Sequence, residues 1–369
     1  MPASAFAWGG ALAWGGALAL TGVLYLLPAS AEAFDPSRFI PLALTVLKVE
    51  AATPNGRVNV GTAITVAPGV AVTNCHVTRD ATAVRLVKHS TGWPAVGQYA
   101  DAEHDLCFLS APSWRGRPVT LADRDGPRLY QQVVAMGFTG GAGVSVSQGE
   151  ITGLHRHQGA PIIQSTSSFT SGASGGALLD DGGRLLGVLT FRLRGNRQHY
   201  FSVPAAWVVA SLPIAADRFE PIGAPVLQRS FWEADPCCVP HFMRVEALQS
   251  RAQWPELLRL AQEWSAADPD DADAWYARGI AQSRLGRPDD AKEDLVRATT
   301  LAPRHAAAWF ELGAAQLAAG DPAEAELARG VLAELGSLLA EQLASRMALR
   351  SQSTDCVGCR SGQQSAPAR

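Results

Sequence analysis

Ser171-Gly172-Ala173-Ser174-Gly175-Gly176-Ala177-Leu178 is the stretch on which the reading of this chain turns. Gly172 can take a backbone shape closed to residues with a Cβ, and it leaves room for a carbonyl group beside it. The amides of Gly172 and Ser174 can then converge on one point. Gly175 and Gly176 let the chain pass from this turn straight into an apolar run. A serine exposed on such a turn suits nucleophilic catalysis, which also needs a base and a group to orient that base. Taken alone, the run has the composition of an ordinary surface loop.

Two stretches upstream supply the partners. In Ala71-Val72-Thr73-Asn74-Cys75-His76-Val77 a histidine follows an apolar strand pattern and a short turn. In Asp101-Ala102-Glu103-His104-Asp105-Leu106-Cys107-Phe108-Leu109 a carboxylate, Asp105, abuts an apolar run. A lone histidine is more often structural, and an aspartate before a strand is more often a turn residue. His104 and Asp101 compete locally for the orienting role; Asp105 is preferred because it touches the strand directly. The order His76, Asp105, Ser174 lifts the three above their separate meanings.

The surroundings are consistent with this order. From about 39 to 205 the chain reads as short apolar alternations broken by Gly, Pro, Asp and Asn: 43–49, 58–66, 70–73, 84–87, 132–136, 144–146, 162–164, 185–190 and 200–203. Many short strands separated by turn residues predict an all-β sandwich or barrel. A helical period is expected only over 205–212.

Motifs and strands together resemble the chymotrypsin-fold serine peptidases, most closely their Deg/Htr-type branch. Gly61–Gly69 resembles the glycine-led strand before the histidine, and Val72–Val77 its Thr-x-x-His-Val motif. Asp105-Leu106 resembles the Asp-apolar pair, 148–153 and 164–178 the strand and serine loop, and 186–188 and 202–204 the last strands. The resemblance implies two six-stranded antiparallel barrels with the triad between them. Ser174 would attack the scissile carbonyl, His76 would act as base and then acid, and Asp105 would hold the tautomer. Gly172 and Ser174 would give the oxyanion hole. The primary pocket would be walled by Ser168, Phe169, Thr190 and Phe191, with Ser202 behind. Ser168 stands where cleavage after Lys or Arg requires Asp, so small or medium apolar residues are expected before the cut, with Phe169 partly filling the pocket. Ala173 replaces the aspartate used by zymogens that are activated through a new N-terminus, so no such step is expected. Cys75 and Cys107 neighbour His76 and Asp105; a bridge that braces the site and a pair of buried thiols both fit.

After Leu212 the texture changes. A stretch rich in proline, 213–240, reads as a linker, and a helical region follows. Within it Ala274-Trp275-Tyr276 returns 34 residues on as Ala308-Trp309-Phe310. The same shift carries Pro269 to Pro303, Gly279 to Gly313, Gly286 to Gly320 and Ala291 to Ala325. Phe242 and Leu257 open a degenerate earlier copy. Small residues let paired helices approach, and a proline ends each unit. The period resembles the tetratricopeptide repeat, with about three units over 241–340. Such repeats form a groove suited to peptides or partner proteins.

The first residues differ again. From Ala3 to Ala31 no side chain is charged, and AWGGAL stands in tandem at 7–12 and 13–18. Small-x-small patterns end at 31 and 33 and fit a secretory signal, although the n-region lacks Lys and Arg. An uncleaved anchor, tethered through residues 5–27, is the rival. Either exports the rest, in a bacterium to the periplasm or to the outer face of the inner membrane. Six cysteines fit an oxidising compartment. Cys356-x-x-Cys359 and Cys237-Cys238 read as a disulfide between tail and linker more readily than as a zinc site.

The sequence therefore predicts a multidomain chain: a leader or anchor over 1–33, a chymotrypsin-like all-β double barrel over 34–212, a linker over 213–240, an all-α tetratricopeptide-repeat solenoid over 241–340, and an extension with a polar tail over 341–369. No cofactor and no metal is expected. The net charge of −3 and the lack of a basic run argue against nucleic acid. The function expected is an exported serine endopeptidase acting on polypeptides, with repeats that recruit substrate or partners. A catalytically silent protease-fold scaffold and an acyl hydrolase using the same site are the rivals.

Overall fold

A computed structural model describes residues 36–122, 126–140, 143–194 and 198–358. The leader or anchor read at 1–33 and Cys359 lie outside them. Among the described residues no helix is long and apolar enough to cross a membrane.

Short β-rich runs become strands because alternate side chains can be buried on one face. Seven form the first sheet: β1 Val46–Ala52, β2 Val58–Ala67, β3 Val70–Thr73, β4 Ala83–Lys88, β5 Thr91–Pro94, β6 Gly97–Asp101 and β7 Leu106–Ser110. Their order is β5-β4-β1-β2-β3-β7-β6, all antiparallel. The two edges are lengths of one segment broken only at Ala95-Val96. The Ala95 amide donates to Val84 O on β4, and the Val96 amide to Ser110 O on β7. The segment thus wraps from β4 to β7 and rounds the sheet into a barrel. Leu47, Val49, Ala63, Leu86, Leu109 and Trp114 fill it.

The second barrel is closed by hydrogen bonds throughout, in the order β10-β13-β12-β11-β8-β9. Its strands are β8 Gln132–Thr139, β9 Gly143–His157, β10 Ala160–Ser165, β11 Ala177–Leu179, β12 Leu185–Arg194 and β13 Gln198–Pro204. Val133, Ala135, Ile151, Ile163, Leu178 and Leu189 form its core. The four-residue helix α1, Cys75–Thr78, follows β3, and α2, Ala205–Asp217, follows β13. Helix α2 runs past Leu212 with Pro213 inside it, so the stretch expected as a linker begins within a helix. The remainder of that stretch crosses the first barrel: Gln98 and Glu220 exchange backbone hydrogen bonds, and the Phe231 amide donates to Glu103 O.

Among the described residues seven helices follow: α3 His241–Ser250, α4 Trp254–Ala267, α5 Ala272–Arg284, α6 Pro288–Leu301, α7 Ala306–Ala319, α8 Pro322–Glu334 and α9 Leu339–Gly358. The repeated residues repeat their contacts. Trp275 Nε1 donates to Pro269 O at 2.8 Å, and 34 residues later Trp309 Nε1 donates to Pro303 O at 2.8 Å. A Cβ on Gly279 would meet Leu295 Cγ at 2.6 Å, so the glycine lets α5 and α6 approach. The helices starting at His241, Ala272 and Ala306 turn their first residues toward the second barrel. Phe242 stacks on His155 with ring centroids 4.2 Å apart, Asp273 Oδ2 accepts from His155 Nδ1 at 2.8 Å, and the Ala306 amide donates to Tyr130 Oη at 2.6 Å.

Candidate active site

His76 sits in α1, whose entry is fixed by Asn74 in an extended conformation. Asn74 is fully buried; its Nδ2 donates to Asp105 O at 2.9 Å and to Thr190 Oγ1 at 3.2 Å. One side chain therefore joins the His-bearing turn, the Asp-bearing turn and the second barrel.

Asp105 precedes β7 with a φ of 58°, a left-handed conformation that costs a non-glycine residue roughly 1–3 kcal/mol. That strain turns its carboxylate onto the histidine. Oδ2 accepts from His76 Nδ1 at 2.7 Å, and Oδ1 accepts the His76 amide at 2.9 Å. The Asp105 side chain is 1% exposed and that of His76 20%, so a buried carboxylate backs an accessible ring. Cys75 and Cys107 form a disulfide beside this pair, resolving the alternative left open by the sequence.

The local competitors are occupied elsewhere. Asp101 Oδ2 accepts from His104 Nδ1 at 2.9 Å and from Ser211 Oγ of α2 at 2.6 Å. Burial works to raise the Asp101 carboxyl, but the His104 and Ser211 hydrogen bonds outweigh it and hold it below the usual range. Burial likewise opposes charge on His104, and Asp101 prevails and raises it.

Ser174 lies on the turn before β11. Gly172 and Gly175 have φ of 96° and 87°, the left-handed region open to glycine. A Cβ on Gly175 would strike the Thr62 carbonyl oxygen. The amides of Ala173, Gly175 and Gly176 donate to Thr170 O, Leu189 O and Ala173 O. Those of Gly172 and Ser174 have no hydrogen-bond partner among the described residues. Two free amides thus stand two residues apart beside the serine. Ser174 Oγ lies 3.5 Å from Thr190 O, and among the described residues no hydrogen bond joins it to the His76 ring. Catalytic hydrogen bonds of this kind commonly tighten only when substrate is bound.

Thr62 and Trp232 were not singled out from the sequence. Thr62 fastens the serine turn to β2, as its amide donates to Ser174 O at 2.8 Å. Trp232, from the stretch expected as a linker, donates from Nε1 to Asp105 Oδ2 at 3.0 Å. Neither stands in a pattern that sequence alone reveals.

Residues 61–188 match the family model described as the trypsin-like peptidase domain, and residues 272–305 that of the tetratricopeptide repeat. The chain thus carries a trypsin-like peptidase domain followed by a tetratricopeptide repeat, and it is similar to serine proteases of the Deg/Htr type. It is 33% identical over 133 residues to Protease Do-like 1, chloroplastic, of Arabidopsis thaliana, covering 33% of this chain and 30% of that one. It is 30% identical over 158 residues to the periplasmic serine endoprotease DegP of Salmonella typhimurium, covering 40% and 33%. The chain thus spans about a third of the length of these curated relatives. The serine endoprotease from Yersinia pestis superposes with a TM-score of 0.45 at 23% identity, over 49% of this chain and 66% of that one.

The residues expected to wall the pocket sit on the loop after β10 and on the paired strands β12 and β13. Ser168 is exposed, and its amide donates to Ser147 Oγ at 2.9 Å. Phe169 is buried in the second barrel's core with its ring 5.3 Å from that of Tyr200, so the barrel interior takes up the ring expected to fill the pocket partly. Thr190 is buried, and its Oγ1 donates to Val188 O at 2.8 Å. Phe191 is stacked between Phe201 and Trp232. Ser202 is buried, and its Oγ has no hydrogen-bond partner among the described residues. Among the described residues no group of three or more His, Cys, Asp or Glu is disposed to hold a metal.

Proposed function

We propose that this chain is a serine endopeptidase that cleaves polypeptides through an acyl-enzyme, with Ser174 as nucleophile, His76 as base and acid, and Asp105 as the orienting carboxylate. The observation that carries the reading is the Asp105 carboxylate held against both His76 Nδ1 and the His76 amide. A carboxylate can only accept, so Nδ1 keeps its proton and Nε2 presents a lone pair. Nε2 takes the Ser174 proton as Oγ attacks the carbonyl carbon, and the resulting imidazolium is stabilised by Asp105. The free amides of Gly172 and Ser174 receive the negative oxygen of the tetrahedral intermediate. Collapse expels the amine, which takes its proton from Nε2. Water then enters, gives its proton to Nε2 and releases the acid.

The names of the relatives support action on proteins and, for those called periplasmic, export. Small or medium apolar residues before the scissile bond fit Ser168, which offers no charge there. The repeats would recruit substrate or partner proteins to the same molecule, and no zymogen-type cleavage would be needed.

Labelling of the full chain by a fluorophosphonate probe tests the centre. The unaltered protein should label and digest an unfolded polypeptide, while Ser174→Ala should lose both, with turnover falling by at least about 1000-fold. Labelling that persists in Ser174→Ala would overturn the assignment. Labelling without peptide cleavage would favour an acyl hydrolase.

A further inference from the structure

Trp232 is the residue of the connecting segment that reaches the candidate triad, and its surroundings fix it there. Phe191 stacks on it with ring centroids 5.3 Å apart and planes 15° apart. The His76 ring meets its edge at 5.4 Å and 88°. The chain on either side is strapped to the first barrel. Gln228 Nε2 donates to Glu103 Oε2 at 2.7 Å, and the Phe231 amide to Glu103 O at 3.1 Å. Arg79 forks onto Glu233 with nitrogen–oxygen distances of 2.6 and 2.8 Å, and Ser230 Oγ donates to the same carboxylate at 2.9 Å. Arg79 stands three residues after His76, so the strap is anchored at the edge of the catalytic turn.

We propose that Trp232 is a positioning residue for the Asp105–His76 pair, and that the working peptidase unit extends through the strap at 228–233. This rests on the triad reading above. Asp105 Oδ2 accepts two donors, His76 Nδ1 at 2.7 Å and Trp232 Nε1 at 3.0 Å. An indole nitrogen can only donate, so the oxygen facing it must be an acceptor. With Oδ1 taken by the His76 amide, the carboxylate cannot rotate, and its charge stays aimed at Nδ1. Thr190, the nearby hydroxyl of the second barrel, does not serve this purpose: its Oγ1 donates to Val188 O and accepts from Asn74. The second donor therefore comes from a segment outside both barrels. Peptidase geometry then depends on the chain that leads into the repeats.

The test is Trp232→Phe in the full chain, which keeps an aromatic ring against Phe191 and removes the N–H. A benzothienyl-alanine placed at 232 keeps the whole bicycle without the donor, and serves if Trp232→Phe folds poorly. Either replacement should lower kcat on a peptide ester about 10-fold while KM stays within about twofold. The acid limb of the pH–rate profile should move to higher pH, because an Asp105 charge no longer shared with the indole holds the imidazolium more tightly. Arg79, Asp80, Glu233 and Glu103, the other charged groups of this corner, are left unaltered. An unchanged kcat with an unmoved limb would overturn the proposal, as would a loss confined to KM or to thermal stability. Ser174→Ala is run beside it: a fall in turnover much smaller than about 1000-fold there sinks the triad reading itself, whatever Trp232 does.

Discussion

Thr62 shows how much one residue can hold. It is fully buried, and each of its polar atoms ties a different part of the site. Its amide donates to Ser174 O at 2.8 Å, its carbonyl accepts from Thr73 Oγ1 at 2.6 Å, and its hydroxyl donates to Gly172 O at 2.7 Å while accepting the Phe138 amide at 2.9 Å. Thr62→Val keeps the shape and removes the hydroxyl, leaving the half-buried Gly172 carbonyl and the buried Phe138 amide without that partner. Each orphan costs about 1–3 kcal/mol. The variant should therefore unfold at lower urea, with at least about 2 kcal/mol of stability lost. It should also react more slowly with the fluorophosphonate, because the Gly172 peptide is freed. Unfolding and labelling that both match the unaltered protein would remove Thr62 from this role. The glycines of the serine turn were legible, since a Gly-Ser run announces left-handed backbone. Their counterpart was not: Thr62 meets Gly172 across 110 residues of sequence, and a lone threonine in a strand pattern carries no mark of that contact.

At the scale of elements, the strands were legible because burial on one face imposes alternation, and the repeats because tryptophan and glycine recur in step. The strand Thr91–Pro94 and its continuation Gly97–Asp101 escaped, since Gly, Trp and Pro there break the pattern while edge pairing tolerates them. The strap at 228–233 escaped for a different reason: its hydrogen bond to Asp105 spans 127 residues and no periodicity records it. Between these cases stands the Cys75–Cys107 bridge, whose members were visible but whose pairing needed the register. Thr73 of β3 lies opposite Cys107 of β7, which brings Cys75 within 4.8 Å, Cα to Cα. The bridge closes a loop of 32 residues that carries His76 at one end and Asp105 at the other. Chain-entropy arguments put such a crosslink at about 3–4 kcal/mol. Replacing both cysteines by alanine should lower the urea midpoint accordingly, and dithiothreitol should then have no further effect on the first barrel. If dithiothreitol leaves the midpoint of the unaltered protein where it was, the bridge is not stabilising it.

Over the whole molecule, the repeats rest on the second barrel through a cluster of titratable side chains. His155 of β9 and His305, at the entry to α7, both meet the Asp273 carboxylate, at 2.8 and 3.3 Å. Gln164 and the Phe242 ring complete the surroundings of His155, Tyr276 packs beside His305, and Asp271, Asp268 and Arg156 are the further charges nearby. Burial opposes charge on His155, but the Asp273 hydrogen bond and charge, with Gln164, overcome it and raise the imidazole above 6.5. Burial also works to raise Asp273, and the two histidines hold it well below 3.8. Burial and the neighbouring Asp273 and Asp268 charges push Asp271 up to about 6. The signs follow by linkage. A raised histidine contributes stability that is complete below 6.5 and lost as pH climbs through its higher folded value. A depressed carboxylate contributes above 3.8 and fails as pH falls. Asp271, raised, loses its contribution as pH climbs through about 6. The contact is thus strongest at about pH 4, loses the Asp271 contribution as pH climbs to about 6, and weakens further on the alkaline side as His155 gives up its proton. Thermal unfolding of the full chain should show a midpoint several degrees lower at about pH 8.5 than at about pH 5.5. The His104–Asp101 pair shifts in the same directions, so the informative quantity is the difference made by His155→Gln. That variant should lose most at acid pH and little at alkaline pH, flattening the profile. A loss equal at both pH values would mean that His155 contributes packing against Phe242 and not charge. Because the strap that carries Trp232 leads into α3, a contact that loosens with rising pH would also be read at the candidate triad, as a fall in labelling on the alkaline side that His155→Gln removes while the acid limb stays in place.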